Sequence, residues 1–355
     1  MSDVRPGDGR ADDGTAAVDL AQDAPAPAVP GAAASAGEPA PPVAEAGAGA
    51  VGPIHASGRY ESRRAGGLDQ VKRYVMVTKP RIIELLLVTT VPAMVVAADG
   101  WPGTWLVFAT VFGGAMSAGS ANALNNFADR DIDRKMARTA ARPTARDEVG
   151  PRGTLVLGLA LGVAGFVWLT LLVNLAAALL ATWAILFYVF VYTLGLKRRT
   201  PQAVVIGGVA GCMPVLTGWA AVSGGSLADP RPWLLFAIMF VWQPPHFWAL
   251  AMKYREDYAA AGLPMLPVVV GNPEATRQIL LHSYLLAAVI AVTAVAGGFG
   301  LVFAITAGLL TALWLWYAHR LRRTHAVADA MALFHYSTVY LAVVLIGAAV
   351  DAAVG

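Results

Sequence analysis

The sequence predicts an all-α, polytopic integral membrane protein, with about nine transmembrane helices around a central cavity that opens at the cytoplasmic face. First, 57% of its 355 residues are hydrophobic and only 14% are charged, whereas a soluble protein carries about a quarter charged residues. Second, apolar runs of about 20 residues recur, each long enough to cross a bilayer core of about 30 Å. Third, the basic residues fall almost entirely into alternate loops between these runs, as membrane topology requires.

The apolar runs define nine predicted spans. They lie at 81–99, 104–124, 154–173, 175–196, 202–222, 233–252, 279–298, 300–318 and 334–354. The only cysteine, Cys212, lies inside one of these runs. The sequence therefore excludes an intrachain disulfide and gives no sign of an oxidising compartment.

The basic residues predict the orientation. After position 57 the chain has 24 Lys and Arg residues, and 23 of them occupy alternate segments between the spans. These segments are 59–81, 130–152, 197–199, 253–277 and 320–323. Only Arg231 lies in a loop of the other set. Since Lys and Arg mark cytoplasmic loops, we expect a cytoplasmic N-terminus, a C-terminus on the outer side and a location in the cell (plasma) membrane. The basic excess reflects topology, and no nucleic-acid partner is expected.

The chain divides into three predicted segments. Residues 1–57 hold eight acids, two arginines and eight prolines without one aromatic residue. So little apolar surface does not offset the entropy of ordering the chain, which predicts a disordered tail rich in Ala, Pro and Gly. Residues 58–80 are predicted to form an interfacial amphipathic segment, because apolar side chains recur at helical spacing beside basic ones. Residues 81–355 form the predicted transmembrane domain.

A group of oxygen donors follows the second span. Asn125, Asp129 and Asp133 are spaced by four residues, so on a continuing helix they share one face. Two carboxylates and an amide oxygen suit Mg²⁺, which completes its shell with water and substrate phosphate. Arg138 and Arg142 follow at the same spacing, and guanidinium groups match phosphate oxygens. These residues predict a site for Mg²⁺ and a phosphorylated substrate, and the alternative is a solvated loop held by Asp–Arg pairs.

A second group lies at the end of the sixth span. His246, Lys253 and Asp257 lie at positions i, i+7 and i+11, on one face of a continuous helix. Asp257 is a candidate metal ligand, and Lys253 is a candidate phosphate contact. His246 lies deeper, where an ionisable group in a membrane span is a functional hypothesis by default. The alternative is a neutral histidine that bonds to a carbonyl freed by the adjacent prolines.

Other polar and small residues carry simpler interpretations. Glu84, inside the first span, is interpreted as an interfacial partner of Lys79 or Arg81. Lys197 belongs to a basic run that serves topology first and offers a phosphate contact. A glycine cluster in the fifth span predicts close helix packing; its members are Gly207, Gly208 and Gly211.

At these residues the chain resembles the UbiA-type intramembrane prenyltransferases, over about residues 75–350. Asn125, Asp129 and Asp133 fit the NxxxDxxxD signature of that superfamily, and the run 138–143 fits its RTxxRP extension. Narrower features resemble its haem-modifying branch: TKPR at 78–81, WQPPHF at 242–247 and GLPMLP at 262–267. Most of the superfamily carries a DxxxD second motif. Here its first position is Lys253 and only Asp257 remains, which resembles the haem branch.

The resemblance implies transfer of the farnesyl group of farnesyl diphosphate to a vinyl group of haem b, with addition of water, giving haem O and diphosphate. It implies Mg²⁺ as cofactor, haem b as substrate and not prosthetic group, and a downstream haem-modifying enzyme as partner. The implied metal ligands are Asn125, Asp129, Asp133 and Asp257. The implied diphosphate contacts are Arg138, Arg142, Lys197 and Lys253. Asp129 and Asp133 act in catalysis, and His246 binds haem or handles the proton of the added water.

Two other classes of protein are compatible with parts of the sequence. A UbiA-type enzyme with a quinone-precursor or chlorin acceptor would carry a full DxxxD second motif, which is absent here. An ion-coupled transporter would place its coupling residues near the bilayer midplane at broken helices of repeated halves. Both acidic motifs of this chain instead lie at one predicted face, and the sequence has no evident repeat.

Overall fold

The structure, a computed structural model, describes residues 66–355, apart from the side chains of residues 81–88. The predicted tail at 1–57 and the first part of the predicted interfacial segment lie outside the described residues, as does the side chain of Glu84. The described part consists of helices and contains no strand. The helices are α1 Gly67–Val77, α2 Pro80–Ala97, α3 Thr104–Ala128, α4 Arg130–Lys135, α5 Pro151–Leu172, α6 Leu175–Leu186, α7 Ala203–Val222, α8 Arg231–Lys253, α9 Arg255–Ala260, α10 Leu266–Ala296, α11 Leu301–Thr324 and α12 Val327–Val354.

Eight of the described helices are long and apolar enough to cross a membrane. They are α3, α5, α6 with its continuation, α7, α8, α10, α11 and α12. The prediction of a helical, multi-pass membrane protein is confirmed. The ninth predicted span corresponds to α2, which has 18 residues and packs against α7 and α12. The side chains of its residues 81–88 lie outside the described residues, so a count of nine spans stays a prediction.

The largest shifts of helix boundaries from the predicted ones have local causes. α10 begins 13 residues before the predicted span, and the additional part includes a kink at Gly271, where φ is +75°. Only glycine adopts such a φ readily. α6 continues without a break into a π-helical segment, Phe187–Leu196, in which the amide of Lys197 donates to the carbonyl of Tyr192 at 2.8 Å. This wider turn changes the direction of the side chains near Lys197, and π-helical turns are frequent at functional sites.

The basic segments meet at one end of the bundle, which we call the basic face. The carboxylate of Asp257 accepts a hydrogen bond from the amide of Ala137, and Arg198 pairs with Asp131 at 2.7 Å. These contacts join segments 60 to 120 residues apart. At the other end, which we call the opposite face, Asn174 donates to the carbonyl of Ala220 at 2.8 Å. The segregation of basic residues expected from the sequence is thus present in the fold, and which face is cytoplasmic stays a prediction.

Arg231, the one basic residue predicted outside the basic segments, lies at the opposite face between two carboxylates. It pairs with Asp99 at 2.6 Å and with Asp229 at 2.9 Å, and its guanidinium group lies 5.1 Å from the centroid of a Trp219 ring. Burial opposes ionisation of Asp229, but its hydrogen bonds to Arg231 outweigh that effect and lower the Asp229 pKa below its usual range. The charge of Arg231 is therefore balanced by neighbouring carboxylates, so its position at the opposite face does not contradict the predicted orientation.

Buried aromatic side chains fill the part of the bundle formed by α8, α10, α11 and α12. Trp242 and Trp314 are fully buried, and each indole N–H donates a hydrogen bond across helices, to the carbonyl of Ser337 and to the hydroxyl of Ser283. A buried tryptophan needs such a partner because its unpaired N–H would be costly in an apolar interior. This packed region forms one wall of the cavity described below.

We expect the variant Asp351→Ala to be less stable than the wild type. The buried carboxylate of Asp351 on α12 accepts hydrogen bonds from the amides of Gly300 and Phe303, which begin α11. Its removal leaves two amides without a partner and costs about 2 kcal/mol. The melting temperature in detergent should fall by roughly 5 °C. Asp69→Ala on exposed α1 is the control and should change it little. An unaltered melting temperature in Asp351→Ala would contradict this role.

Candidate active site

A cavity of about 410 Å³ lies between α2, α3, the π-helical segment, α7 and α8 and reaches the basic face. Thr110 and Asn125 both line it and are 15 residues apart on α3. At 1.5 Å per helical residue, the cavity therefore extends about 22 Å along the bundle. Its deep part is lined mainly by small and apolar residues, while charged residues gather at the mouth. The predicted central cavity is thus present.

Three of the four predicted metal ligands, Asn125, Asp129 and Asp133, lie together at the mouth. α3 ends at Ala128, but the amide of Asp129 still donates to the carbonyl of Asn125, and that of Asp133 donates to Asp129, both at 2.8 Å. The ladder of i to i−4 bonds therefore continues across the junction with α4. The amide group of Asn125 donates to a carboxylate oxygen of Asp129 at 2.7 Å. Asp129 and Asp133 are almost completely buried, and a buried carboxylate needs a compensating charge.

Each of these three side chains has a cationic partner from another segment. Lys197 donates to the Oδ2 atom of Asp129. Arg142 donates through Nη1 to both oxygens of Asp133 at 2.8 Å, and Lys79 donates to Oδ1 of Asn125 at 2.9 Å. These three cations and Arg138 all line the cavity. Asn125 and Asp133 also line it, whereas Asp129 lies behind this lining. Four cations thus accompany two carboxylates at the mouth, which favours a ligand with several negative charges.

The donor set fits a divalent cation. The Oδ1 atom of Asp129 is buried and has no hydrogen-bond partner among the described residues. Its nearest cationic atom among the ion pairs is Nη2 of Arg198, at 3.8 Å. An unpaired buried carboxylate oxygen calls for a ligand. The described residues hold no group of three or more His, Cys, Asp or Glu side chains that could enclose a metal ion. Mg²⁺ uses one or two carboxylates and takes its other ligands from water and phosphate, and Asp129 and Asp133 supply two carboxylates here.

Arg138 is held at the mouth by the segment around α9. Its guanidinium group lies 5.4 Å from the ring centroid of Tyr254 and donates to the hydroxyl of Tyr258 at 3.3 Å. The carboxylate of Asp257 accepts from the amides of Ala137 and Arg138, at 2.9 and 3.2 Å. Asp257 therefore positions the arginine loop in this structure. The structure does not bring it into a metal-binding group with Asp129 and Asp133, and its metal role stays a prediction.

The prediction that His246, Lys253 and Asp257 share one helical face is wrong. α8 ends at Lys253, and Tyr254, with φ −103° and ψ 26°, separates it from α9. Lys253 is exposed, with its ammonium group 5.4 Å from the Tyr254 ring centroid. Neither Lys253 nor His246 lines the cavity.

His246 is packed away from the cavity, against α12. Its ring stacks on Trp242 and Phe334, with centroids 4.4 and 4.5 Å away, and its Nδ1 atom lies 2.5 Å from the hydroxyl oxygen of Ser337. The bond to a serine hydroxyl replaces the carbonyl partner considered from the sequence. A contact of His246 with haem or with the added water stays a prediction.

Sequence reasoning missed some of the cavity residues. Lys79 was considered only as one of two partners for Glu84, whose side chain lies outside the described residues. In the structure Lys79 donates to Asn125, 46 residues away. Desolvation, together with the charges of Arg142 and Lys197, lowers the pKa of Lys79 to about 7. Its backbone has φ +53°, unusual for a residue with a side chain. That strained conformation and the following proline turn the chain at the entry to α2.

The glycine cluster of α7 marks close approaches, as predicted, but to side chains. A Cβ atom on Gly207 would lie 2.3 Å from the ring of Tyr192, and one on Gly211 would lie 2.6 Å from Oε1 of Gln243. Tyr192 and Gln243 both line the cavity. The cluster predicted close packing, but the sequence did not identify Tyr192 or Gln243 as the partners.

A membrane-embedded cavity with a cationic mouth, buried carboxylates and a long apolar interior defines a protein that acts on an amphiphile with an anionic head group. The family model of the UbiA prenyltransferase family matches residues 86–342. The chain belongs to this family of intramembrane prenyltransferases.

Curated relatives match most of the chain. Protoheme IX farnesyltransferase 1 of Saccharopolyspora erythraea is 55% identical over 287 residues, which cover 79% of this chain and 90% of the relative. The protoheme IX farnesyltransferase of Frankia alni is 50% identical over 80% of this chain and 99% of the relative. That of Clavibacter sepedonicus is 46% identical over 84% of this chain and 98% of the relative.

Solved structures share the fold. A digeranylgeranylglyceryl phosphate synthase structure matches with a TM-score of 0.67 and 17% identity, over 81% of this chain and 100% of that chain. A UbiA homologue from Aeropyrum pernix K1 matches with a TM-score of 0.60 and 24% identity, over 77% of this chain and 98% of that chain. A UbiA homologue from Archaeoglobus fulgidus, bound to DMAPP and Mg²⁺, matches with a TM-score of 0.53 and 15% identity, over 77% of this chain and 99% of that chain.

Proposed function

We propose that this protein transfers the farnesyl group of farnesyl diphosphate to a vinyl group of haem b, with addition of water, to give haem O and diphosphate. The observation that carries this proposal is the 46–55% identity, over about four fifths of the chain, to proteins named protoheme IX farnesyltransferase. The cavity supports it, because a charged mouth and a long apolar interior suit a diphosphate joined to a prenyl chain.

We infer that Mg²⁺ binds at the mouth. Asp129 and Asp133 would hold it, with Asn125 as a further oxygen donor. When bound, the metal neutralises charge that develops on the diphosphate as the allylic C–O bond breaks. The crystallised A. fulgidus homologue bound to DMAPP and Mg²⁺ has the same fold, which supports a divalent ion here.

The cations at the mouth would then exchange partners. Lys197 and Arg142 now neutralise Asp129 and Asp133, and Lys79 donates to Asn125. With the carboxylates neutralised by metal instead, these cations become available to the diphosphate oxygens, together with Arg138 from the loop. Charged donors fixed where negative charge develops lower the barrier to loss of the leaving group. The apolar interior of the cavity restricts the access of bulk water to the allylic cation before it reaches its acceptor.

The proposed orientation puts the basic face in the cytoplasm of a cell whose plasma membrane holds the bundle. The exposed apolar residues of α1, Leu68, Val71, Val75 and Met76, would then lie in the inner membrane interface. Farnesyl diphosphate would enter from the cytoplasm, and haem b from the bilayer. A downstream haem-modifying enzyme would receive the product.

An extraction assay tests the proposed function. The chain is expressed in membranes without endogenous activity, supplied with haem b, farnesyl diphosphate and Mg²⁺, and the haems are analysed by chromatography and mass spectrometry. We expect a product heavier than haem b by one farnesyl group and one water, which disappears with a chelator. Unchanged haem with a folded protein would reject haem as acceptor, and a quinone precursor would be tried with the same diphosphate.

The pKa of Lys79 predicts a pH effect on substrate capture. Since this pKa is lowered to about 7, Lys79 is charged below that pH and loses its charge above it. We expect kcat/KM for farnesyl diphosphate to fall by up to about tenfold per pH unit above about 7, because an anionic substrate loses a cationic partner. In Lys79→Arg the decline should move at least one unit higher. Lys135→Arg, an exposed lysine on α4, is the control, and an identical profile for Lys79→Arg would contradict the assignment.

A further inference from the structure

Gln243 on α8 is a buried side chain in the cavity wall, only 6% exposed. Its Nε2 atom lies 2.9 Å from the carbonyl oxygen of Gly208, 3.3 Å from that of Met239 and 3.0 Å from the sulfur of Cys212. Two backbone carbonyls accept hydrogen bonds and never donate them. They therefore fix which end of the amide is NH₂ and which end is oxygen.

The oxygen end of this amide faces the cavity. No donor reaches Oε1 within the part of the chain that the structure describes. Oε1 lies beside Gly211, whose backbone is exposed to the cavity because it carries no side chain. An amide oxygen that opens onto a cavity accepts a hydrogen bond from the cavity contents. Water, with two donors, is the smallest molecule that supplies one.

Gln243 lies between the charged mouth and the apolar part of the cavity. Its partner Gly208 is five residues inside α7, about 8 Å from the helix end at the basic face. The charged mouth that would hold the diphosphate lies above this level, and the apolar part of the cavity lies below it. A water at this oxygen is thus near the boundary between leaving group and prenyl chain.

We propose that Gln243 holds the water that adds to the haem side chain, an inference that rests on the proposed function. The allylic C1 of the farnesyl group forms a bond to the terminal vinyl carbon as its C–O bond to diphosphate breaks. The positive charge then lies on the inner vinyl carbon, next to the porphyrin. The water oxygen bonds to that carbon, with one of its hydrogens donated to Oε1 of Gln243 for orientation. The released proton goes to the departing diphosphate, whose oxygens are the stronger base.

Without an oriented water, the same cation loses a proton to give an alkene. The partition between the hydrated and the unhydrated farnesyl adduct is therefore a readout of water positioning, and the two products differ in mass by one water. A residue that only packs α8 against α7 would lower both products together. The product ratio separates these two roles.

The test compares Gln243→Met, Gln243→Glu and the control Gln202→Met in proteoliposomes with haem b, farnesyl diphosphate and Mg²⁺. Met keeps the volume and loses the oxygen. Glu in its protonated form keeps an oxygen at the same place and an O–H donor for the carbonyl of Gly208. Gln202 is exposed and does not line the cavity. We expect Gln243→Met to lower the ratio of hydrated to unhydrated product about tenfold, the effect of one hydrogen bond. Gln243→Glu and Gln202→Met should stay within about twofold of the wild type.

A wild-type ratio in folded Gln243→Met, or an equal loss of both products, would overturn the proposal. If Gln243→Met does not accumulate as folded protein, Gly211→Ala provides the same test, because its Cβ atom would displace Oε1. An unchanged ratio in Gly211→Ala would then overturn it. Absence of any farnesylated haem from the wild type is a different result, since it rejects the proposed function and this inference with it.

Discussion

Replacement of Asp129 by asparagine is expected to leave a folded membrane protein whose farnesyl transfer falls about 10³-fold. The buried carboxylate accepts from Lys197 and Asn125 through one oxygen and offers its other oxygen, without a hydrogen bond, to a cation. Asparagine preserves the shape and one acceptor, but it removes the charge that would hold Mg²⁺. Turnover in proteoliposomes at several Mg²⁺ concentrations measures the loss, and the elution profile in detergent checks the fold.

Asp131→Asn is the matched control for this variant. Asp131 lies two residues further along the chain and is exposed. It pairs with Arg198, whose hydrogen bond lowers the pKa of the Asp131 carboxyl. Both of its carboxylate oxygens already accept from Arg198, so its removal should change turnover by less than about threefold. Wild-type rates in Asp129→Asn would reject the metal assignment at this carboxylate.

The variant Arg142→Lys is expected to lower kcat/KM about 10²-fold, although the charge is kept. Arg142 lines the cavity and donates to both oxygens of Asp133, through one nitrogen at 2.8 Å. A guanidinium group has further N–H groups in fixed directions for phosphate oxygens, whereas an ammonium group acts as a point charge. Steady-state kinetics with farnesyl diphosphate measures the change.

Arg146→Lys, in the same loop, controls for the substitution itself. Arg146 is exposed and absent from the cavity lining, so its kinetics should match those of the wild type. Equal kinetics for Arg142→Lys and the wild type would show that a single positive charge is enough at position 142. The proposed hydrogen bonds from several guanidinium N–H groups to phosphate would then be rejected.

The membrane architecture could be predicted from the sequence because span length and loop charge are local properties. Each apolar run between 104 and 354 corresponds to a helix in the structure. Boundaries near charged residues were less accurate. α12 begins at Val327, seven residues before the predicted span, because Asp329 pairs with Arg320 and accepts from Thr324, and so helps to fix its first turn. Such contacts between helices leave no periodic signal in the sequence.

The carboxylates of the candidate site were predictable, and their partners were not. The four-residue spacing of Asn125, Asp129 and Asp133 follows from helix geometry alone. Lys79 and Lys197 reach them from 46 and 68 residues away, so only the packing of helices identifies these pairs. In a membrane bundle nearly every helical face is apolar, so hydrophobic periodicity does not tell which face lines a cavity.

The same limit explains His246 and Asp257. Their assignment assumed one continuous helix, but the break at Tyr254 turns Asp257 toward the amides of the arginine loop. His246 is held by stacking with Phe334, a residue of α12. Gln243, three positions before His246, occupies the cavity wall instead. The motif at 242–247 thus lies on the turn of α8 that reaches the cavity, but the sequence did not indicate which of its side chains faces the cavity.

The most direct test of haem farnesylation is its stoichiometry in proteoliposomes of the purified chain. Diphosphate released and farnesylated haem formed are measured in the same sample, with Mg²⁺, with chelator and with Asp129→Asn. We predict one diphosphate for each farnesylated haem, and neither product with chelator or in the variant. Diphosphate release without farnesylated haem, or farnesyl transfer to haem that continues in the chelator, would contradict the proposed reaction at this site.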